Sequence, residues 1–258
     1  MLSAITIFDV FHAFVTLHII TGATGLIAFW VPVLTKKGSM PHRRAGRVFT
    51  YSMLITGAAA IGISICTLID PMATHPQLQS HAVFSDAKLV AAIFGWMMLG
   101  LAILTINLAW YGWLCVEHKR DHLKNREWRN LFLQAATFIA ATNCAWQGYL
   151  IHQPLMLGMS FIGWATVATN LFFIYKPNVG ANDWLKEHIK ALVGAGISVY
   201  TAFFAFGAVR TFPALALHPI LWAIPLSVGL FLIIYFQRKV VRGTLFPSRR
   251  TTSNANNA

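Results

Sequence analysis

The sequence predicts an all-α integral membrane protein, folded as a bundle of seven transmembrane helices. Three observations predict this class: 57% of the 258 residues are hydrophobic, only 11% are charged, and long apolar stretches take up most of the chain. A typical soluble domain carries about 25% charged residues, and a disordered chain has few apolar residues. Both of those classes are therefore excluded. The alternating ten-residue segments of an outer-membrane barrel are also absent.

A helix needs about 20 mostly apolar residues to cross a bilayer, and a helix satisfies its own backbone hydrogen bonds in lipid. Seven stretches meet this requirement and form one transmembrane domain over residues 1–247. They lie at residues 8–34, 48–70, 88–114, 131–151, 154–175, 189–210 and 217–237. The remaining residues, 248–258, are polar and are predicted to be a disordered tail.

The 20 lysines and arginines outnumber the 8 acidic residues and give a formal charge of +12. All of them except Lys88 and Arg210 lie in or beside the segments that follow the first, third, fifth and seventh spans. The positive-inside rule therefore places the N-terminus outside and the C-terminus in the cytoplasm. Because membrane topology explains the charge, nucleic-acid binding is not expected.

The N-terminus has no basic segment typical of a cleaved signal peptide, so the first helix is predicted to stay. Cys66, Cys115 and Cys144 lie in or at the ends of spans without CxxC spacing, and we interpret them as core residues. Four tryptophans near the predicted inner surface are typical of membrane-interface anchors. They are Trp30, Trp113, Trp128 and Trp184.

Histidines inside membrane spans are costly and are candidate functional residues. His18 starts the segment HIITGATG, in which Gly22 and Gly25 share its helix face. Glycines on that face let another helix approach closely, so we expect His18 to point into the bundle. There it is either a ligand of haem or a metal, a proton carrier, or simply a hydrogen-bond donor to a neighbouring helix.

His42 lies in the segment KKGSMPHRRAGRVF, where Pro41 favours the start of a helix. The positive field of a helix N-terminus and of Arg43, Arg44 and Arg47 favours a neutral imidazole, which is able to act as a ligand. The same three arginines are candidates to hold an anion or a lipid phosphate. The alternative is a topology anchor without a ligand.

His188, in WLKEHIKALVGAG, lies at a second cytoplasmic helix start, at a predicted depth similar to that of His42. His18 lies roughly two helical turns deeper. We predict a cofactor or metal site formed by His18, His42 and His188, which requires tilted or broken helices. An alternative set at the outer side is His12, His152 and His218.

The segments HIITGATG, KKGSMPHRRAGRVFTYSM, HIKALVGAGISVYTAF and WAIP…YFQRK resemble a family of bacterial predicted membrane proteins that is known only as a domain of unknown function. The resemblance covers the first, second, sixth and seventh spans. It implies a multi-pass protein of the bacterial cytoplasmic membrane, and it places the family's recurring histidines on His18, His42 and His188. It implies no reaction.

No P-loop, GxSxG, HExxH or dinucleotide-binding motif occurs in the sequence. The preferred function is a histidine-centred redox protein that binds haem b or a metal ion, by analogy with membrane cytochromes. The alternatives are a transporter or lipid- or small-molecule-binding protein, an accessory subunit of a larger membrane complex, and a hydrolase with histidine-bound zinc. Membrane lipids are the expected partners, together with a homo-oligomer or a larger membrane complex.

Overall fold

The computed structural model describes residues 6–80, 84–207 and 219–245, and within these ranges the chain is helical with no strand. Arg210, His218 and the tail at 248–258 lie outside the described residues. Seven of the described helices are long. They are α1 (Ile7–Leu34), α2 (Met40–Ile69), α3 (Ala87–Glu117), α4 (Trp128–Leu150), α5 (Pro154–Tyr175), α6 (Asp183–Ala202) and α7 (Pro219–Val241).

Shorter elements connect or interrupt these helices. Short helical turns at Pro71–Thr74 and Pro76–Leu78 lie between α2 and α3, and another at His122–Arg126 lies between α3 and α4. Two segments wind as π-helix: Ala91–Met97 within α3, and Phe203–Gly207 directly after α6. The apolar periodicity of the sequence does not distinguish π- from α-helical winding, so neither segment was expected.

Helix α2 begins at Met40, close to the helix start that Pro41 predicts and ahead of the apolar stretch at 48–70. The Ser39 side chain accepts a hydrogen bond from the backbone N–H of His42, and Pro41 occupies the first turn. Both features favour helix initiation. As a result, His42, Arg43 and Arg47 lie on the first turns of α2.

Six of the helical stretches are long and apolar enough to cross a membrane. The long helix not among them is α4, which carries four amide side chains: Asn130, Gln134, Asn143 and Gln147. The multi-pass membrane class is therefore confirmed, whereas the seventh crossing stays a prediction.

A buried chain of amides joins α4 to its neighbours. Asn107 of α3 and Gln134 of α4 exchange two hydrogen bonds, of 3.1 and 2.7 Å, and Asn107 Nδ2 also donates to Thr137 Oγ1 at 2.8 Å. Gln134 Nε2 donates to Asn130 Oδ1, and Asn170 Nδ2 of α5 donates to Gln134 Oε1. All five side chains are buried. We call this set the amide chain.

The connections after α1, α3 and α5 and the end of α7 lie at the same end of the bundle. His122 Nε2 donates to the carbonyl of Lys176 at 2.9 Å, and Gln237 Nε2 donates to that of Lys186 at 3.3 Å. The Lys37 ammonium lies 4.3 Å from the centre of the Phe236 ring. Every described lysine and arginine except Lys88 is in or near these connections, so we call this the basic end.

The amide chain predicts a stability difference between two glutamines of α4. Gln134→Leu leaves Asn107 Oδ1 and Asn170 Nδ2 without their partners, and we expect it to lower the free energy of unfolding by about 1–3 kcal/mol. Reversible unfolding in mixed detergent micelles measures the change. The control is Gln147→Leu, because Gln147 is partly exposed on the same helix. An equal loss in both variants would contradict a specific role of the amide chain.

Candidate functional site

A cavity of about 810 Å³ lies at the basic end, between α1, α2, α3, α6 and α7. We call it the basic cavity. Its walls are largely apolar or aromatic, and they include Phe29, Phe49, Trp113, Leu192 and Phe236. Both His42 and His188 line it. Because its size and apolar walls are typical of small-molecule and cofactor sites, it is the strongest candidate site among the described residues.

Helix α1 fixes the orientation of the His42 ring. Pro32 lies in the last turn of α1, where backbone carbonyls have no partner within the helix. His42 Nδ1 donates to the carbonyl of Pro32 at 3.2 Å, and Lys37 Nζ donates to the same carbonyl at 2.7 Å. The hydrogen bonds that satisfy the end of α1 thus also hold His42 at the cavity wall.

Helix α3 fixes the orientation of His188. His188 Nδ1 donates to the carbonyl of Gly112 at 2.9 Å. One residue earlier in each helix, Tyr111 OH donates to Glu187 Oε2 at 2.8 Å. Gly112 permits this contact: a Cβ there would lie 2.7 Å from Leu192 Cδ2 and 3.1 Å from Ala191 Cβ. The close approach of α3 and α6 therefore places His188.

The two hydrogen bonds define the tautomer of each ring. A carbonyl oxygen only accepts, so Nδ1 of His42 and Nδ1 of His188 carry the proton, and Nε2 is the nitrogen left for a ligand. Histidines that bind metals or haem iron are usually held in this way, with the second nitrogen donating to a backbone carbonyl or a carboxylate. Each of the two histidines therefore has the tautomer that is usual for such a ligand.

His18 has the same type of hydrogen bond at a different place. Its Nδ1 donates to the carbonyl of Thr56 in α2 at 3.1 Å, beside a hydrogen bond from Thr56 Oγ1 to Thr21 Oγ1. Gly22 and Gly25 are buried against α2, as expected for glycines at a close helix contact. His18 thus points into the bundle but does not line the basic cavity.

Among the described residues, no group of three or more His, Cys, Asp or Glu side chains is arranged to hold a metal ion. The structure therefore brings together two of the three predicted histidines, His42 and His188, without His18. A mononuclear zinc site, which needs three protein ligands, is not formed by the described residues.

The described members of the outer histidine set are both exposed. His12 Nδ1 donates to the carbonyl of Phe8 in its own helix at 2.9 Å. His152 occupies the turn between α4 and α5 with a backbone φ of 53°. His218 lies outside the described residues.

Four cations line the basic cavity: Lys37, Arg43, Arg47 and Lys119. Arg43 and Arg47 are one helical turn apart and share a face of α2. Arg44 lies on a different face and is not among the lining residues. Two of the three predicted anion-binding arginines therefore reach the cavity.

Lys37 is half-buried between the end of α1 and Phe236 of α7, and its Nζ donates to the carbonyls of Pro32 and Val33. Burial and the positive charge of Lys239 lower the pKa of Lys37 from 10.5 to about 8. The unfolded chain therefore binds more protons than the native chain between these two values. The stability cost of Lys37 is present below pH 8, and it is lost as the pH rises toward 10.5.

Several lining residues were not found from the sequence. The sequence predicts Trp113 and Trp184 to be membrane-interface anchors, and Lys119 and Lys37 to be topology signals, yet all four line the basic cavity. The sequence does contain one signal for these four residues, which is their predicted depth in the membrane. Each lies within about two turns of the basic end of the bundle, as His42 and His188 do. The sequence does not show which of them share a wall.

Comparison of the chain with known protein families, curated proteins and solved structures gives no match. The resemblance to the uncharacterised membrane-protein family therefore stays a prediction.

The contact of α3 with α6 predicts opposite effects for two glycines of α3. Gly112→Ala forces its new Cβ against Leu192 and Ala191, so we expect a loss of about 1–3 kcal/mol in unfolding free energy. A Cβ at Gly100 would have its nearest neighbour, the Ala140 carbonyl oxygen, at an ordinary 3.7 Å. Gly100→Ala should therefore be neutral or stabilising, by up to about 1 kcal/mol. Chemical denaturation of both variants in detergent tests the contact, which equal losses would contradict.

Proposed function

We propose that this protein is a multi-pass protein of the bacterial cytoplasmic membrane that binds haem b in the basic cavity and takes part in electron transfer. His42 and His188 are the residues that would hold the haem iron. The observation that carries this proposal is that both histidines line one cavity, each with Nδ1 held by a backbone carbonyl. Two histidines on separate helices are sufficient for a six-coordinate haem, whereas a metal ion alone needs more ligands.

The rest of the cavity also suits haem. Phe29, Phe49, Trp113 and Phe236 offer apolar contacts to the faces and edges of a porphyrin. The cations of the cavity are available to the two haem carboxylates, since charge-assisted hydrogen bonds to arginine are strong. When bound, the haem would supply one-electron chemistry, and the protein would supply the two histidines and a largely apolar wall.

Optical spectroscopy of the full-length protein tests this proposal. We expect protein purified from cells supplied with haem precursor to show a Soret band and the sharp reduced-state bands of a low-spin, six-coordinate haem. His42→Ala and His188→Ala should each convert it to a five-coordinate, high-spin spectrum or abolish haem binding. His18→Ala is the matched control, because His18 has the same hydrogen bond to a carbonyl but lies outside the cavity.

Three results would contradict the haem proposal. One is wild-type protein that remains without a Soret band after haem supply and after addition of haem to the purified protein. Another is an unchanged low-spin spectrum in both cavity variants. The third is an equal loss of haem in His18→Ala and in the two cavity variants, because that pattern would indicate a general loss of structure.

We also infer that all seven long helices cross the membrane, with the N-terminus outside. The amides at Asn130 and Gln134 of α4 are buried within the bundle, whereas Phe132, Phe138 and Ile139 of the same helix are exposed. A helix with polar groups satisfied internally and apolar groups outside is compatible with lipid. The positive-inside rule places the basic end in the cytoplasm.

Cysteine accessibility tests the topology, because the native Cys66, Cys115 and Cys144 are all buried. Leu123→Cys and His152→Cys place a thiol at exposed positions before and after α4. We expect a membrane-impermeant maleimide to label His152→Cys in intact cells, and Leu123→Cys only after permeabilisation. Labelling of both from the same side would contradict a crossing by α4, and the reversed pattern would contradict the orientation.

A further inference from the structure

The cations that line the basic cavity have no acidic partner. Asp and Glu are missing from the lining, and within the described ranges none of Lys37, Arg43, Arg47 and Lys119 forms an ion pair. Other lysines at the same end are paired: Lys176 and Lys186 with Asp183, and Lys190 with Glu187. Four cations without an acidic partner among the described residues therefore line this one cavity.

The described contacts of Lys37 include no negatively charged group that would neutralise its ammonium. Its ammonium is held by neutral carbonyls and an aromatic ring, and Lys239 adds a further positive charge nearby. Helix α2 also begins here, and its N-terminus contributes a partial positive charge. An anion at this position would interact favourably with all of these groups at once.

We propose that the basic cavity binds the phosphate of an anionic phospholipid, with its acyl chains along the apolar wall. Arg43, Arg47 and Lys119 contact the phosphate, and Lys37 adds a fourth positive charge. A lipid fits better than free phosphate because the cations adjoin apolar side chains such as Phe49, Leu192 and Phe236. Basic pockets between membrane helices bind lipid headgroups in this way. The inference concerns the protein without haem and does not rest on the haem proposal.

Native mass spectrometry of the full-length protein in neutral detergent, checked to be free of a Soret band, measures this binding. The probes are phosphatidylglycerol and phosphatidylcholine with identical acyl chains, and inorganic phosphate as competitor. We expect wild type to prefer phosphatidylglycerol by about tenfold, since only that headgroup is anionic. Arg43→Gln combined with Arg47→Gln should remove this preference.

Arg44→Gln is the matched control, because Arg44 belongs to the same turn of α2 but does not line the cavity. We expect it to keep the preference within about twofold of the wild-type value. Lys119→Gln provides a second test that leaves the long helices intact, because Lys119 is exposed in the turn after α3. It should weaken phosphatidylglycerol binding severalfold.

The proposal is overturned if the two lipids bind equally, or if Arg44→Gln loses as much affinity as the double variant. It is also overturned if inorganic phosphate displaces phosphatidylglycerol at equal concentration, because that result would define a site for a free anion. Haem binding by wild-type protein is measured separately. Failure of the lipid test therefore leaves the haem proposal standing, and failure of the haem test leaves the lipid proposal standing.

Discussion

Buried polar groups in an apolar helical bundle need hydrogen-bond partners within the protein, and much of this structure depends on that requirement. Gln134 hydrogen-bonds to both Asn107 and Asn170 and so joins three helices. His18 and His188 instead donate to main-chain carbonyls of a neighbouring helix. Each such bond needs a defined register between two helices. The polar residues consequently help to fix how the apolar helices pack, together with the van der Waals contacts at small residues.

The same requirement forms the basic cavity. The end of α1 leaves carbonyls unpaired, and Lys37 and His42 satisfy them from the connection to α2 and from the first turn of α2. Both side chains are thereby held beside the space between α1, α2 and α7. Across the cavity, Gly112 allows α6 to approach α3 closely enough for His188 to reach a carbonyl. Helix termination and close helix packing therefore position the two histidines of the site.

The sequence predicts the helices of this fold well, because apolar stretches are long and separated by basic connections. It also predicts that His42 and His188 lie at a similar depth, and the structure places both at one cavity. Depth alone does not give rotation about the helix axis. That is why Arg44 was grouped with Arg43 and Arg47, and why Trp113 and Lys119 were missed. His18 does not line the cavity with the other two histidines because it lies deeper in α1, beside Thr56.

The haem and lipid proposals use one cavity in two ways, and the chemistry of the lining accounts for both. In the haem proposal, Nε2 of His42 and Nε2 of His188 are the ligands of the iron. In both proposals the cations are available to an oxyanion, which is a carboxylate in haem and a phosphate in a lipid. The apolar wall accepts either a porphyrin or acyl chains. If both ligands bind, haem and lipid must compete, since both proposals use the same four cations of the cavity. The histidines would then decide selectivity: removing both Nε2 ligands abolishes haem binding and leaves the lipid site intact.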